Sequence, residues 1–188
     1  LIERELCEAI GISRTSIREV LRRLEAERLV VVEPRRGPTV ARVTRKQAEE
    51  IYEIRAMLEA LLMRRFTEKA SVAEIARLRS IFEEIAPAAE VNDVRALVSI
   101  MTRFIGHVME VVDNEIVRDI LQQLIARVSF LRATSMSRPG RAKESIGEIS
   151  AIVEAVERRD AEAAARNAII YVENARDSAL ERIELAER

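Results

Sequence analysis

Arg14, Arg18 and Arg22 recur at every fourth position of "GISRTSIREVLRRLEAERLVVVEPRRGPTV", residues 11–40, a stretch that holds seven arginines. On an α-helix that spacing stacks side chains along one face. A guanidinium presented this way forms two parallel hydrogen bonds with a guanine edge or a phosphate. Ser13, Thr15 and Ser16 flank Arg14. Their short hydroxyls suit phosphate oxygens at a helix N-terminus, where the helix dipole favours anions. Farther on, Arg35, Arg36 and Gly37 make a basic tip, and a residue without a Cβ lets backbone approach a polyanion closely. The chemistry these groups suggest is the gripping and reading of double-stranded DNA. Arg22 and Arg23 are also spaced to pair with Glu19, Glu25 or Glu27, which would make them an ordinary solvated face.

Such groups need rigid elements behind them. "IERELCEAI" (2–10) predicts a short amphipathic helix with Leu6 and Ile10 one turn apart, and Gly11 ends it. Ser13 is a natural N-cap for a second helix running to about Arg28, whose Ile17, Val20, Leu21 and Leu24 face a core. Helix, glycine-containing turn and helix form a helix-turn-helix. The β-branched runs on either side of "EPRRGP" then predict strand, tip and strand, a wing. In such a fold the second helix enters the major groove with its N-terminal residues at the bases.

Charge separates this segment from the rest. Residues 1–46 carry 11 basic and 7 acidic side chains, leaving 20 basic and 25 acidic in the remainder, within a chain of net charge −1. A basic end on an acidic body predicts one module for a polyanion and another for something else. The 188 residues, 48% hydrophobic with only 5 glycines and 4 prolines, can bury a core and favour helix. The single Cys7 forms no internal disulfide and reads as a packed small hydrophobe. No apolar run approaches the roughly 18 residues that span a membrane. These features predict a cytoplasmic protein.

From Thr44 onward the pattern is helical. "TRKQ" (44–47) has the form of a capping box and opens a helix to about Lys69, with Ile51, Ile54, Leu58, Leu61, Leu62 and Phe66 as its apolar face. Further helices are predicted from Ser71 to near Pro87, from about Asn92 to Val112 and from Asn114 to about Met136. After "SRPG" (137–140), two more cover about Ala142 to Arg159 and, capped by Asp160, a stretch to near Ala186. The predicted fold is mainly α: a winged helix-turn-helix at 1–43, then an all-α bundle of six helices at 44–188, joined through "ARVTRKQ" (41–47) as a hinge.

Residues 2–42, with "SRTSIREVLRRLEAE" followed by an Arg-Gly wing, resemble the winged helix-turn-helix of the GntR family of bacterial transcriptional repressors. The resemblance implies operator contacts from Arg4, Arg14, Thr15, Ser16, Arg18 and Gly37. Members normally begin with one more helix before the position of Leu1, and Arg28 stands where a glycine is usual. "IYEIRAMLEALLMRR" (51–65), "RFIGHVMEVVDNEIV" (103–117) and "EISAIVEAVERRDAEAA" (148–164) are similar to the FCD, or FadR-type, ligand-binding domain that follows such a module. Most domains of that type hold a divalent metal through one aspartate and three histidines. Those positions fall here at Met101, Ile105, Ile149 and Tyr171, which implies that the metal site is lost. The only histidine, His107, points about 200° around its helix from Ile105 and has no ligand role.

Two alternatives stay open for the vacated space. It binds an acyl or carboxylate effector without metal, as in the fatty-acid-responsive branch of the family, or side chains fill it and the domain only dimerises. Tyr171 with Asn167 and Asn174, on one face of the last helix, and Arg55 in "YEIR" are the polar anchors for such a ligand. Both sets are equally placed to cap or pair with structural neighbours such as Glu53 and Glu59. No nucleophile–base pair, histidine cluster or glycine-rich phosphate loop occurs, so an enzyme is not expected. Expected partners are double-stranded DNA, a second copy of the chain and a small-molecule effector; no cofactor and no membrane association are expected.

Overall fold

The computed structural model describes residues 1–26, 29–33, 37–41 and 43–187. The chain divides into two compact units, Leu1–Val43 and Thr44–Arg188.

In the first unit, helices α1 (Glu3–Ile10) and α2 (Arg14–Ala26) pack together and precede strands β1 (Val30–Glu33) and β2 (Gly37–Val40). Gly11 closes α1 at φ 76°, its N–H reaching the Cys7 carbonyl, a left-handed cap that glycine adopts without a Cβ penalty. Ser13 starts α2: its Oγ accepts from the Ser16 N–H at 3.1 Å and its carbonyl from the Ile17 N–H at 3.0 Å. Ile17, Leu21 and Val30 form a small core, with Leu6, Cys7 and Leu24 packed against it. The strands pair antiparallel with Val30 opposite Val40 and Glu33 opposite Gly37.

Two expectations about this core give way. Val20 and Ile10 are 48% and 60% exposed. Ile17, Leu21 and Leu24 fall within an arc of about 60° around α2, whereas Val20 lies about 100° from Leu21. A single helix and strand cover only the narrower stripe. Glu27 and Arg28, at the expected end of α2, lie outside the described residues, as do Arg35 and Arg36 at the expected wing tip.

The second unit is a bundle of α3 (Arg45–Lys69), α4 (Val72–Glu83), α5 (Ile85–Glu90), α6 (Val94–Val112), α7 (Glu115–Met136), α8 (Arg141–Glu157) and α9 (Ala161–Glu187). Helix starts follow from capping chemistry. Thr44 with Gln47 and Ser71 with Glu74 both form complete capping boxes. Asn114 Oδ1 accepts from the Val117 N–H, and Asp160 Oδ1 accepts from the Ala163 N–H. The long helices α3 and α9 pack along each other. Ala164, Ala168, Ala175 and Ala179 are buried on α9, and small side chains there let the axes approach closely. Leu62, Met63, Phe66, Phe104, Val108, Ile149, Val153 and Val156 complete the core.

Several boundaries differ from the sequence expectation. The helix expected to reach Pro87 ends at Glu83, and α5 follows as a seventh helix of the unit, with Pro87 in its first turn where its missing N–H is harmless. Asn92 is left-handed at φ 52°, and Asp93, one residue later, caps α6 through the Ala96 N–H. The largest difference is the rotation of α3. Ile54, expected in the core, is 45% exposed, while Arg55 and Glu59 are 1% and 3% exposed. His107 is buried, its Nε2 donating to the Glu74 carbonyl at 2.9 Å and its ring edge-on to Phe66.

Candidate functional site

Two groups of arginines carry the candidate chemistry. The first stands on the helix-turn-helix. Arg14 is the first residue of α2, exposed, and pairs with no carboxylate among the described residues. Thr15 and Ser16 are exposed in the same turn, and Ser13 caps it. Arg18, one turn on, has a side chain 62% exposed, and its Nε donates to Glu3 on α1 at 3.0 Å. An exposed pair of this kind contributes only ~0.2–1 kcal/mol, so a phosphate or base edge can displace it. Arg4, 71% exposed, lies 3.9 Å from Glu8 on the next turn of α1. Gly37 opens β2 at φ 74°, and a Cβ built there meets nothing within 4 Å. Its backbone conformation, rather than crowding, calls for glycine. Arg36, the remaining expected contact, lies outside the described residues.

The second group lies inside the helical unit. Arg55 Nε donates to Glu59 Oε1 at 2.6 Å, and Arg132 Nη2 on α7 donates to the same oxygen at 3.2 Å. Arg141, at the start of α8 and fully buried, donates through Nη2 to Glu148 Oε2 at 2.6 Å. The Arg55 guanidinium lies 5.5 Å from the Tyr52 ring and 5.8 Å from the Tyr171 ring, and Arg141 faces the Tyr171 ring at 5.7 Å. Helices α3, α7, α8 and α9 thus bring three guanidiniums, two tyrosines and the buried Glu59 carboxylate together. Burial pushes the Tyr52 hydroxyl up to about 12. Burial also holds Arg132 below its ordinary value, reinforced by the charge of Arg55. Burial alone would lower Arg55 too, but the Glu59 carboxylate outweighs it and keeps Arg55 above its usual range.

The expected effector residues divide between these surroundings. Arg55 and Tyr171 meet in the cluster. Asn167 Nδ2 donates to the Ala151 carbonyl, and Asn174 Nδ2 donates to Glu148 Oε1 at 2.8 Å, so both asparagines tie α9 to α8. Met101, Ile105 and Ile149 are core side chains, 3%, 5% and 0% exposed. A cleft of about 800 Å³ opens instead along α3 and α9 beside Arg45, Glu49, Met57 and Asp177. A second, of about 430 Å³, is bordered by Arg138, Glu148, Asn174 and Glu181.

The divalent metal implied by the resemblance does not fit this donor set. Met101, Ile105 and Ile149 supply no hard donor, and Tyr171 supplies a single hydroxyl. Among the described residues no group of three His, Cys, Asp or Glu side chains is arranged to hold a metal. Sequence reasoning missed Arg132, Arg141 and Ser135. A signal was present for Arg132 alone. Arg132 stands one turn from Val128 and from Met136, a charge inside an apolar stripe, whereas Arg141 opens α8 with Glu144, Ser145 and Glu148 on its face and gives no such signal.

Comparison with known proteins gives the family and the fold. The family model for bacterial regulatory proteins of the gntR family matches residues 1–40, and that for the FCD domain matches residues 50–174. The chain is 26% identical over 170 residues to the HTH-type transcriptional regulator YdhC of Bacillus subtilis, covering 90% of this chain and 76% of that one. It is 28% identical to the galactonate operon transcriptional repressor of Escherichia coli, over 90% of this chain and 82% of the relative. The solved structure of E. coli McbR/YncC superimposes with a TM-score of 0.81 at 22% identity, over 100% of this chain and 88% of that one, a likeness of fold.

Proposed function

We propose a mode of action from one premise: the chain belongs to the GntR family of bacterial regulatory proteins and carries an FCD domain, which makes it a DNA-binding transcription regulator and not an enzyme. Residues 1–43 are the DNA-binding module, and residues 44–188 serve dimerisation and effector binding. Two chains associate through a twofold contact. Their α2 helices enter successive major grooves of a near-palindromic operator, about 34–36 Å apart. Arg14 reads a base edge, with Arg18 beside it once released from Glu3. Ser13, Thr15 and Ser16 hold phosphates, and Arg4, Arg36 and Gly37 contact the backbone and the flanking groove. The protein works in the cytoplasm as a repressor, in keeping with the repressor among its relatives.

The observation that carries this reading is Arg14, exposed as the first residue of α2, while Ile17 and Leu21, one and two turns on, anchor that helix in the core. Binding of the parent and of Arg14→Ala to operator and to scrambled DNA tests it. The variant is expected to lose about 1–3 kcal/mol on operator and little on scrambled DNA. Equal binding of both proteins to both DNAs refutes the assignment.

The effector is a metal-independent acyl or carboxylate metabolite, a reading supported by the meeting of Arg55 and Tyr171 and by the lack, among the described residues, of three His, Cys, Asp or Glu side chains grouped to hold a metal. It acts by binding one conformation of the dimer better than another. A second reading has a filled effector domain that only dimerises. It is favoured by the burial of Met101, Ile105 and Ile149 in the core. Elemental analysis of protein purified without chelator checks the metal statement: a stoichiometric zinc, nickel or manganese ion overturns it.

A further inference from the structure

We infer that the arginine cluster of the helical unit is a built site for one small oxyanion, gripped by Arg55, Arg132 and Arg141 together with the Tyr171 hydroxyl. The inference rests on the reading of residues 44–188 as an effector domain and names the charge and the gripping groups of that effector.

The first argument is the number of idle donors. Arg55 Nη1 and Nη2, Arg132 Nε, Arg141 Nε and Nη1, Ser135 Oγ and Tyr171 OH are all buried without a hydrogen-bond partner. Buried polar groups in folded proteins are nearly always paired, and these seven atoms sit on residues no more than 4% exposed. They come from four helices, α3, α7, α8 and α9, whose arginines and tyrosine the contacts above gather, while Arg64 and Arg127 each leave only a single Nε unpaired.

The second argument is charge. Three buried guanidiniums share one fully buried carboxylate, Glu59, and a second, Glu148, whose side chain is 18% exposed. One positive charge is left over. Water can satisfy N–H groups but brings no charge, whereas an anion answers both deficits at once. The third argument is span. Arg55 and Arg132 converge on a single oxygen, Glu59 Oε1, and Arg55 and Arg141 converge on the Tyr171 ring. Glu59 already joins Arg55 to Arg132, whereas no carboxylate among the described residues is shared by Arg55 and Arg141, which both face the Tyr171 ring. Guanidinium forks match the paired oxygens of a carboxylate or phosphate, and the Tyr171 hydroxyl adds a donor. A cation is excluded by the same groups that attract the anion.

The way in passes Glu148. Its Oε2 takes Arg141 while its Oε1 takes Asn174 at the edge of the cleft of about 430 Å³. An arriving oxyanion replaces that carboxylate on Arg141.

Thermal melts of the full chain test the inference, at constant ionic strength, with chloride replaced stepwise by inorganic phosphate, malonate or acetate. A saturable rise in Tm with phosphate alone assigns a phosphorylated ligand, and a rise with malonate or acetate alone assigns a carboxylate. Either supports the site. Tyr171→Phe removes a hydroxyl that has no partner in the structure, so without anion it melts no lower than the parent. It then needs about tenfold more anion for the same shift, the size of one hydrogen bond to a charged group. Arg132→Met abolishes the saturable shift. A shift that never saturates, or one that is identical in parent and Tyr171→Phe, overturns the inference. The same samples are assayed without anion for selective binding to the DNA upstream of their own gene. Selective DNA binding with no saturable shift removes the oxyanion site alone, whereas loss of selectivity with a saturable shift removes the regulator reading and leaves the site.

Discussion

Arg14 and Arg55 are the same residue type one domain apart, and their surroundings give them opposite physics. Arg14 stands exposed with no described carboxylate, and water solvates its charge. Arg55 is 1% exposed, shares Glu59 with Arg132 and keeps two terminal nitrogens unpaired. An exposed guanidinium costs the fold almost nothing, so it is free to serve a partner that arrives in bulk solution. A buried one is tolerable only inside a network, and any shortfall in that network amounts to an affinity for whatever completes it. One chain thus places arginine in two settings: on a surface, where we propose that it meets a polyanion, and in a core where a carboxylate holds the charges together.

Glu59→Gln attacks that contrast most directly. Removing the carboxylate that Arg55 and Arg132 share is expected to destabilise the helical unit by about 3–5 kcal/mol, read from urea denaturation. A loss below about 1 kcal/mol would mean the cluster is solvated like the surface set, and the contrast would fail. A gentler probe is alkaline pH. The Tyr52 hydroxyl, pushed up to about 12 by burial, stays protonated when the unfolded chain has begun to ionise near its ordinary value of 10. The unfolded state then binds fewer protons, so stability is intact below pH about 10 and falls by about 2–3 kcal/mol as pH rises towards 12. Tyr52→Phe should flatten that part of the profile. An unchanged slope would place the ring in contact with water.

On the surface side the expected effects shrink. Arg14→Ala, with its expected operator loss of about 1–3 kcal/mol, should leave the unfolding midpoint within about 0.5 kcal/mol of the parent. A large stability loss would make Arg14 structural and blur the distinction. Smallest of all is Glu3→Gln, which unties Arg18. Stability should drop by only ~0.2–1 kcal/mol, while DNA affinity at low salt rises because a competing carboxylate is gone. A fall in affinity would show that the pair positions Arg18 for DNA instead of restraining it.

Much of the fold was legible because local chemistry dictates it. Thr44 with Gln47, Ser71 with Glu74, Asn114 and Asp160 are side chains that satisfy their own helix starts, and each stands where the sequence places it. Gly11 breaks α1 for an equally local reason. The errors arose where neighbours distant in sequence decide. Pro87 reads as a stop, yet a short helix accepts it in its first turn. Ile54 reads as core by hydrophobicity alone, but α3 is turned so that Arg55 and Glu59 face inward and Ile54 outward.

The groups proposed to face DNA were the easier set to assemble, since Ser13, Arg14, Thr15, Ser16 and Arg18 are neighbours in one turn and helix and their spacing is their geometry. The arginine cluster was the harder set. Its members come from residues 52–59, 132–135, 141–148 and 171, and no spacing along the chain brings those numbers together. The sequence by itself determined the winged helix-turn-helix, the helical body behind it, the family, and the absence of hard metal donors at Met101, Ile105 and Ile149, because caps, periodicity and residue chemistry act over a few positions. Only the tertiary structure decided that Arg55, Arg132 and Arg141 share one buried locus with too few acceptors. The charge balance of a core depends on which helices meet, and helices meet through the packing of whole faces.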